Sequence, residues 1–307
     1  MPIDPDLAKQ LATTRHLRVL EPARGIIAFY DGRVENYRFA EGPNWVDDGA
    51  LSLGIASYAL VEGDAALVYD THISVEHARF IRTALEARGV RRFTVVLSHW
   101  HLDHVAGTAA FADCEIIANR RTATHLERRK TAIEAGAHDG PPAINPLILP
   151  TRLFEGKMTL ALGGRQIELI EADIHSDDAT VIWLPEERIL LAGDTLEDTV
   201  TYVGEPENFD RHLLDLDRLW ALDPAFILPN HGDPDVIAGG GYSSSLIRAT
   251  QDYIRALQQA ADDPAMRTLS LQDFVAPQLR SGWIRYFAPY EAVHRSNIAA
   301  VLAAGRD

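Results

Sequence analysis

Residues Phe93–His104 read FTVVLSHWHLDH, and the fold of the whole chain turns on them. The first five, Phe93–Leu97, form a continuous apolar run of the kind buried on both faces of a covered sheet. The run leads directly into His99, His101, Asp103 and His104, four metal-ligating side chains at the carboxyl end of the strand. Three imidazoles and a carboxylate suit a borderline-soft divalent metal. Side chains at i and i+2 of an extended segment share a face, so His99 and His101 can chelate one ion. Asp103 and His104 lie on the turn beyond and can address a second.

Working outward, the spacing predicts strands and helices in alternation. Gly25–Tyr30 is a compact apolar run ending at Asp31 and Gly32, a turn signal. Ser57–Val61 and Ala65–Tyr69 flank Glu62, Gly63 and Asp64, which predicts a hairpin ending at Asp70 and Thr71. A helix is expected from Ser74 as N-cap to Gly89, with Ala78, Ile81 and Leu85 turned inward. After the His-rich stretch come a short strand at Ile116–Ala118 and a charged helix near Arg120–Lys130. Residues 136–150 hold four prolines and two glycines and read as a long surface loop, a lid or binding element. Leu160–Leu169 is expected to be a hairpin turning at Gly163 and Gly164, followed by strands at Thr180–Leu184, Arg188–Leu191 and Ala225–Leu228. Amphipathic helices are expected after Asp210 and over Ser245–Ala261.

Three further candidate ligands follow the first group: His175 (EADIHSDD), Asp194 (LLAGDTL) and His231 (ILPNHGD). A carboxylate directly after a buried apolar strand, as at Asp194, needs a partner or a metal, because an unpaired buried charge is costly. There is also an internal echo. Strand, Asp70-Thr71, helix, strand and His99 are answered by strand, Asp194-Thr195, helix, strand and His231.

Composition narrows the function. The 307 residues carry 29 Lys plus Arg against 44 Asp plus Glu, a formal charge of −15. Lys9, Lys130 and Lys157 are the only lysines and the arginines are scattered, which argues against a polynucleotide partner. One cysteine, Cys114, excludes an intramolecular disulfide framework and a Cys-rich metal site. No apolar run reaches the roughly 18 residues of a membrane span. The opening MPIDPDLAKQ lacks the regions of a secretory signal, so a cytoplasmic location is expected.

The pattern His99-x-His101-x-Asp103-His104, then His175, Asp194 and His231, resembles the metallo-β-lactamase superfamily over roughly residues 20–235. The resemblance implies an α/β fold, the four-layer αβ/βα sandwich. The chain would form one domain, with a core over about 20–235 and a helical C-terminal extension over about 240–307. It also implies two Zn²⁺ per chain, with iron or manganese as alternatives. His99, His101 and His175 fall on metal 1, Asp103, His104 and His231 on metal 2, and Asp194 bridges them. Asp70 matches a carboxylate that supports a ligand histidine from behind. Two zinc ions, two carboxylates and a bridging hydroxide sum to about +1, which would stabilise an oxyanion.

The activity so implied is hydrolysis of a small ester, lactone, thioester or amide by a metal-bridging hydroxide, with Asp194 and Asp103 as the catalytic carboxylates. The alternatives are a small-molecule phosphodiesterase, β-lactamase-like activity as a side reaction, and iron-dependent sulfur oxygenation. The expected partner is a small molecule, with neither nucleic acid nor membrane, and a homodimer is compatible with the sequence. True metallo-β-lactamases usually carry Cys or Ser in place of Asp194. Glyoxalase II shares the seven ligands but binds glutathione through a basic C-terminal motif that is not recognisable here. Quorum-signal lactonases place a Tyr soon after the bridging Asp, whereas Tyr202 is eight residues on.

Other residues carry plainer expectations. His72 either lines the pocket or faces solvent. His138 belongs to a surface loop or to a lid over the metals. His125 and His212 are expected on helix surfaces, and Cys114 is expected as a buried small hydrophobe. Trp283, Tyr286, Phe287 and Tyr290 are expected as packing before binding wall. Asp177-Asp178 and Asp262-Asp263 are expected to be solvated.

Overall fold

The computed structural model describes residues 11–304. The reading of MPIDPDLAKQ lies outside them. The chain forms two compact units, Met1–Ile167 and Glu168–Asp307. Among the described residues no helix is long and apolar enough to cross a membrane.

The first unit is organised by a seven-stranded sheet in sequential order, β1 (Arg18–Ala23), β2 (Ile26–Asp31), β3 (Ile55–Glu62), β4 (Ala65–Tyr69), β5 (Arg92–Val96), β6 (Glu115–Asn119) and β7 (Arg152–Phe154). The strands β1 to β4 are antiparallel neighbours, whereas β4 to β7 run parallel. The expected hairpin is present. Glu62 pairs with Ala65 across a two-residue turn in which Gly63 takes φ +59°, a conformation that glycine adopts without penalty. The helix α1 (Val75–Ala87) crosses between β4 and β5. Ser74 caps it by accepting from the His77 backbone N–H at 3.2 Å. At its other end Val90 N–H bonds to the Leu85 carbonyl and Gly89 N–H to that of Glu86, the two bonds of a Schellman stop. Ala78, Ile81 and Leu85 pack with Val68, Val95, Leu97 and Ile116 in one apolar core.

Helix α2 (Arg120–Glu134) follows β6 and extends four residues beyond its expected end. Residues 136–150 have no regular structure, as their prolines require. A helical turn at Val46–Leu51, for which no sequence signal was evident, packs its Val46 and Leu51 on Ile55 and Ile73.

A five-stranded sheet runs in the order β12-β11-β10-β9-β8, with β8 (Lys157–Leu162), β9 (Arg165–Glu171), β10 (Thr180–Leu184), β11 (Ile189–Gly193) and β12 (Phe226–Pro229). The division between the units falls inside β9. Within the second unit, β11 and β12 are parallel and are connected through α3 (Phe209–Ala221). Then come α4 (Ser245–Ala260) and α5 (Tyr290–Ala304). Leu246, Ile247, Ile254 and Leu257 of α4 are fully buried, so the stripe expected there is a core face.

One glycine sets how tightly the first unit closes. A Cβ on Gly107 would stand 2.1 Å from the Thr71 carbonyl and 2.3 Å from Ala78 Cβ, neither of which is the end of a flexible side chain. Gly107→Ala is expected to cost about 1–3 kcal/mol in urea unfolding, the usual penalty of overpacking. Gly164→Ala, which meets nothing within 4 Å, is expected to stay within about 0.5 kcal/mol of the parent. Equal midpoints for the two would contradict the packing.

Candidate metal centre

In the first unit the parallel pairing of β4 with β5 brings two strand ends to one edge, with Tyr69 opposite Val96. Asp70 follows β4 at once. It is buried and takes φ +66°, an uncommon conformation for a residue with a side chain. Its Oδ1 accepts the Ser98 backbone N–H at 2.7 Å, and its Oδ2 lies 2.9 Å from His104 Nδ1. The adjoining Thr71 gives the His104 carbonyl two further bonds, from N–H at 2.7 Å and from Oγ1 at 3.0 Å. Ring and backbone of His104 are thus both fixed, and Nε2 is left as its donor atom, 3.5 Å from Asp103 Oδ1. His99 Nε2 and His101 Nδ1 converge to 2.9 Å, as side chains two apart on an extended segment should.

In the second unit the parallel strands β11 and β12 repeat the device, with Gly193 opposite Pro229. Asp194 and His231 leave the two strand ends. Asp194 Oδ2 lies 3.4 Å from His231 Nε2 and 3.6 Å from His175 Nε2. His175, at φ +71°, turns its other nitrogen, Nδ1, to the Tyr202 carbonyl at 3.0 Å. The echo seen in the sequence is therefore a repeated local geometry, a parallel strand pair delivering a carboxylate and a histidine.

Each donor set fits a divalent metal. Ligands of one tetrahedral ion at about 2.0–2.1 Å stand about 3.3–3.4 Å from each other, close to the Asp194–histidine separations. Both His104 and His175 have the nitrogen away from these donors bound to a carboxylate or carbonyl, which fixes tautomer and ring orientation. All seven expected ligands and Asp70 fall into these two groups, His99, His101, Asp103, His104 and Asp70 in the first unit and His175, Asp194 and His231 in the second.

The loop after Asp194 holds residues that the sequence reading missed. Glu197 Oε1 accepts the Tyr202 N–H at 3.2 Å, and Oε2 accepts the Tyr290 hydroxyl at 3.0 Å. Its Oε1 also lies 3.6 Å from His175 Nδ1. Burial, and then the Asp194 carboxylate, hold the Glu197 carboxyl above the usual carboxylate range. Asp198 accepts from the Arg285 backbone N–H at 2.7 Å and from the Tyr242 hydroxyl at 2.8 Å. Asn297 of α5 binds the loop twice, accepting from Val203 N–H at 2.9 Å and donating to the Thr201 carbonyl at 3.0 Å. The available signal was a polar set, Tyr253, His294 and Asn297, on otherwise apolar helix stripes.

Several plainer expectations change. His72 is fully buried and stacks on His77 at 4.7 Å between centroids. Burial, then the His77 and His104 imidazoles, press its pKa well below the ordinary value. His212, expected on a helix surface, is fully buried. Asp178 is buried and accepts from the Ser176 hydroxyl, whereas Asp262 and Asp263 are exposed as expected. Cys114 is half-buried against the core, and burial raises its thiol to about 11. The aromatic group divides, because Tyr290 is buried on Glu197 while Tyr286 is exposed. His125 and His138 lie 5.6 Å and 5.4 Å from the ring of Trp100, between His99 and His101, so the loop 136–150 packs beside the motif.

Known proteins resemble the chain in sequence and in fold. The chain is 30% identical over 187 residues to the alpha subunit of 2,4-dinitroanisole O-demethylase of Nocardioides sp. (strain JS1661), covering 58% of this chain and 53% of that protein. It is 29% identical over 140 residues to hydroxyacylglutathione hydrolase of Cereibacter sphaeroides, covering 46% of this chain and 48% of that protein. The matches thus span about half the length of these relatives. A metallo-β-lactamase from Pontibacter korlensis superposes with a TM-score of 0.54 at 18% identity, covering 76% of this chain and 99% of that one. At that identity the likeness is one of fold, and it is the fold expected from the ligand pattern. The model of the metallo-beta-lactamase superfamily matches residues 52–231, which include all seven candidate ligands. The chain belongs to the metallo-β-lactamase superfamily, whose members are metal-dependent hydrolases.

Proposed function

We propose that this chain hydrolyses a small carbonyl compound, an ester, lactone, thioester or amide, with two divalent metals, zinc foremost. His99, His101 and His175 would hold one ion, Asp103, His104 and His231 the other, and Asp194 would serve both. The observation that carries the reading is the Asp194 carboxylate, one oxygen of which faces two imidazole Nε2 atoms at 3.4 and 3.6 Å. Ions bound there would supply a water of lowered pKa and a Lewis acid for the carbonyl oxygen.

The chain's own groups set the rest. Asp194, with a side chain only 4% exposed, is the carboxylate that orients the attacking water and can accept its proton. Asp103, with 18% of its side chain exposed, can exchange that proton with solvent. Asp70 and the Tyr202 carbonyl keep His104 and His175 in the tautomer that presents Nε2.

The relatives' names describe different bonds, the ether of 2,4-dinitroanisole and the acyl group of hydroxyacylglutathione. The carboxylate at 194, where true metallo-β-lactamases usually carry Cys or Ser, counts against a β-lactam antibiotic as the natural substrate. A charge of −15 supports a small substrate over a polynucleotide. A lone cysteine, with no disulfide framework, supports a cytoplasmic setting.

Asp194→Ala or His101→Ala is expected to abolish hydrolysis and to lower bound metal. Activity that persists in a metal-depleted sample would sink the reading. A panel of thioester, lactone and p-nitrophenyl ester against bis(p-nitrophenyl) phosphate should show turnover of the carbonyl compounds, and a phosphodiester preference would reverse the assignment. Asp70→Ala is expected to weaken metal affinity about 10–100-fold, with activity regained as metal is added. Tyr290→Phe removes a donor from buried Glu197 and is expected to cost about 1–3 kcal/mol in urea unfolding.

A further inference from the structure

One cluster in the second unit is left over by the ligand sets above. Asp173, Glu205 and His212 each offer a donor atom, and the three atoms lie within 4.8 Å of one another. His212 lies in the first turns of α3 and is fully buried, yet among the described residues neither ring nitrogen has a hydrogen-bond partner. Asp173 is 7% exposed, and its Oδ1 likewise has no hydrogen-bond partner among the described residues. Leaving such groups unpaired in the interior forfeits their hydration with nothing in return. Asp173 Oδ1 and His212 Nε2 face each other at 3.4 Å without hydrogen-bond geometry. That is the separation of two ligands of one tetrahedral ion, which stand about 3.3–3.4 Å apart for bonds of about 2.0–2.1 Å.

The surroundings are arranged for a cation. Glu205 Oε2 accepts from Asn208 Nδ2 at 2.8 Å, an outer bond of the kind that orients a ligating carboxylate. The nearby Asp215 accepts the Asp173 backbone N–H at 2.7 Å and is already paired with Arg218 at 2.6 Å and Arg211 at 3.4 Å. Among the described residues, Asp173 and Glu205 have no such arginine or lysine, so together they present two uncompensated negative charges. A divalent ion balances them, and an imidazole with two carboxylates is a donor set that zinc accepts.

We propose that Asp173, Glu205 and His212 bind one divalent cation of the zinc class, in addition to any held by the seven ligands above. Its place in the chain gives it a role. Asp173 lies two residues before His175, and Glu205 lies three after Tyr202, whose carbonyl holds His175 Nδ1. The ion pins both flanks of that contact to α3. The proposal does not rest on the hydrolase reading.

The test is zinc stoichiometry by mass spectrometry on the full chain, after saturation with zinc and removal of the free ion. In the double variant His101→Ala/Asp194→Ala, one further change, Glu205→Gln, is expected to remove one zinc per chain. It should also abolish the rise in melting temperature that zinc gives the double variant. Asp173→Asn, close in shape and volume, should do the same. A double variant with no zinc, or a zinc content unchanged by both Glu205→Gln and Asp173→Asn, overturns the proposal. A parent chain that binds a single zinc and loses it with Glu205→Gln upholds the proposal while refuting the two-metal reading.

Discussion

The Asp70 carboxylate is buried where water cannot solvate it, so it must find its donors in the protein. It finds them in the loop that carries the metal motif, at Ser98 N–H and His104 Nδ1. Much of the first unit's site depends on that requirement. The parallel pairing of β4 and β5 places donor and acceptor at one sheet edge, the left-handed turn at Asp70 aims the carboxylate, and Thr71 takes the His104 carbonyl. Gly107 then lets the loop pass back against Thr71 and α1. His104 is therefore oriented by hydrogen bonds to its ring and to its backbone.

The second unit solves the same problem with other parts. Its parallel strands bring Asp194 and His231 out side by side, but the support comes from a distance in sequence. Tyr290 and Asn297 of α5 reach Glu197, Thr201 and Val203, while Asp198 is held by Tyr242 and the Arg285 backbone. The C-terminal helices are thus part of the apparatus that shapes the loop between Asp194 and His175's carbonyl partner, Tyr202. The buried network also makes that loop intolerant of movement, because breaking any one of its hydrogen bonds strands a polar group away from water.

What the sequence disclosed followed from local rules. Period and capping placed α1 between Ser74 and Gly89, the Gly63 turn placed the β3–β4 hairpin, and the strand-end pattern singled out seven candidate ligands. What it hid was set by contacts across long separations. Glu197 looks like a loop carboxylate until Tyr290, 93 residues on, is seen to bind it. His212 reads as a helix-surface residue because Leu213, Leu216, Leu219 and Trp220 define an apolar stripe without it. On the helix itself His212 shares the buried face with Phe209, Leu216 and Leu219, so a polar residue type hid a position that the helical period includes. The buried stack of His72 on His77 was hidden because the His77 ring is held by Asp31, 46 residues before it.

His99, His101, His175, Asp103, His104, His231 and Asp194 are proposed as the ligands of one pair of metals. Anomalous diffraction from crystals of the zinc-loaded chain tests it most directly. One peak is expected among His99, His101 and His175, and a second among Asp103, His104 and His231, with Asp194 contacting both. Zinc-loaded crystals in which these side chains carry no anomalous peak, or in which Asp194 touches neither ion, would contradict it.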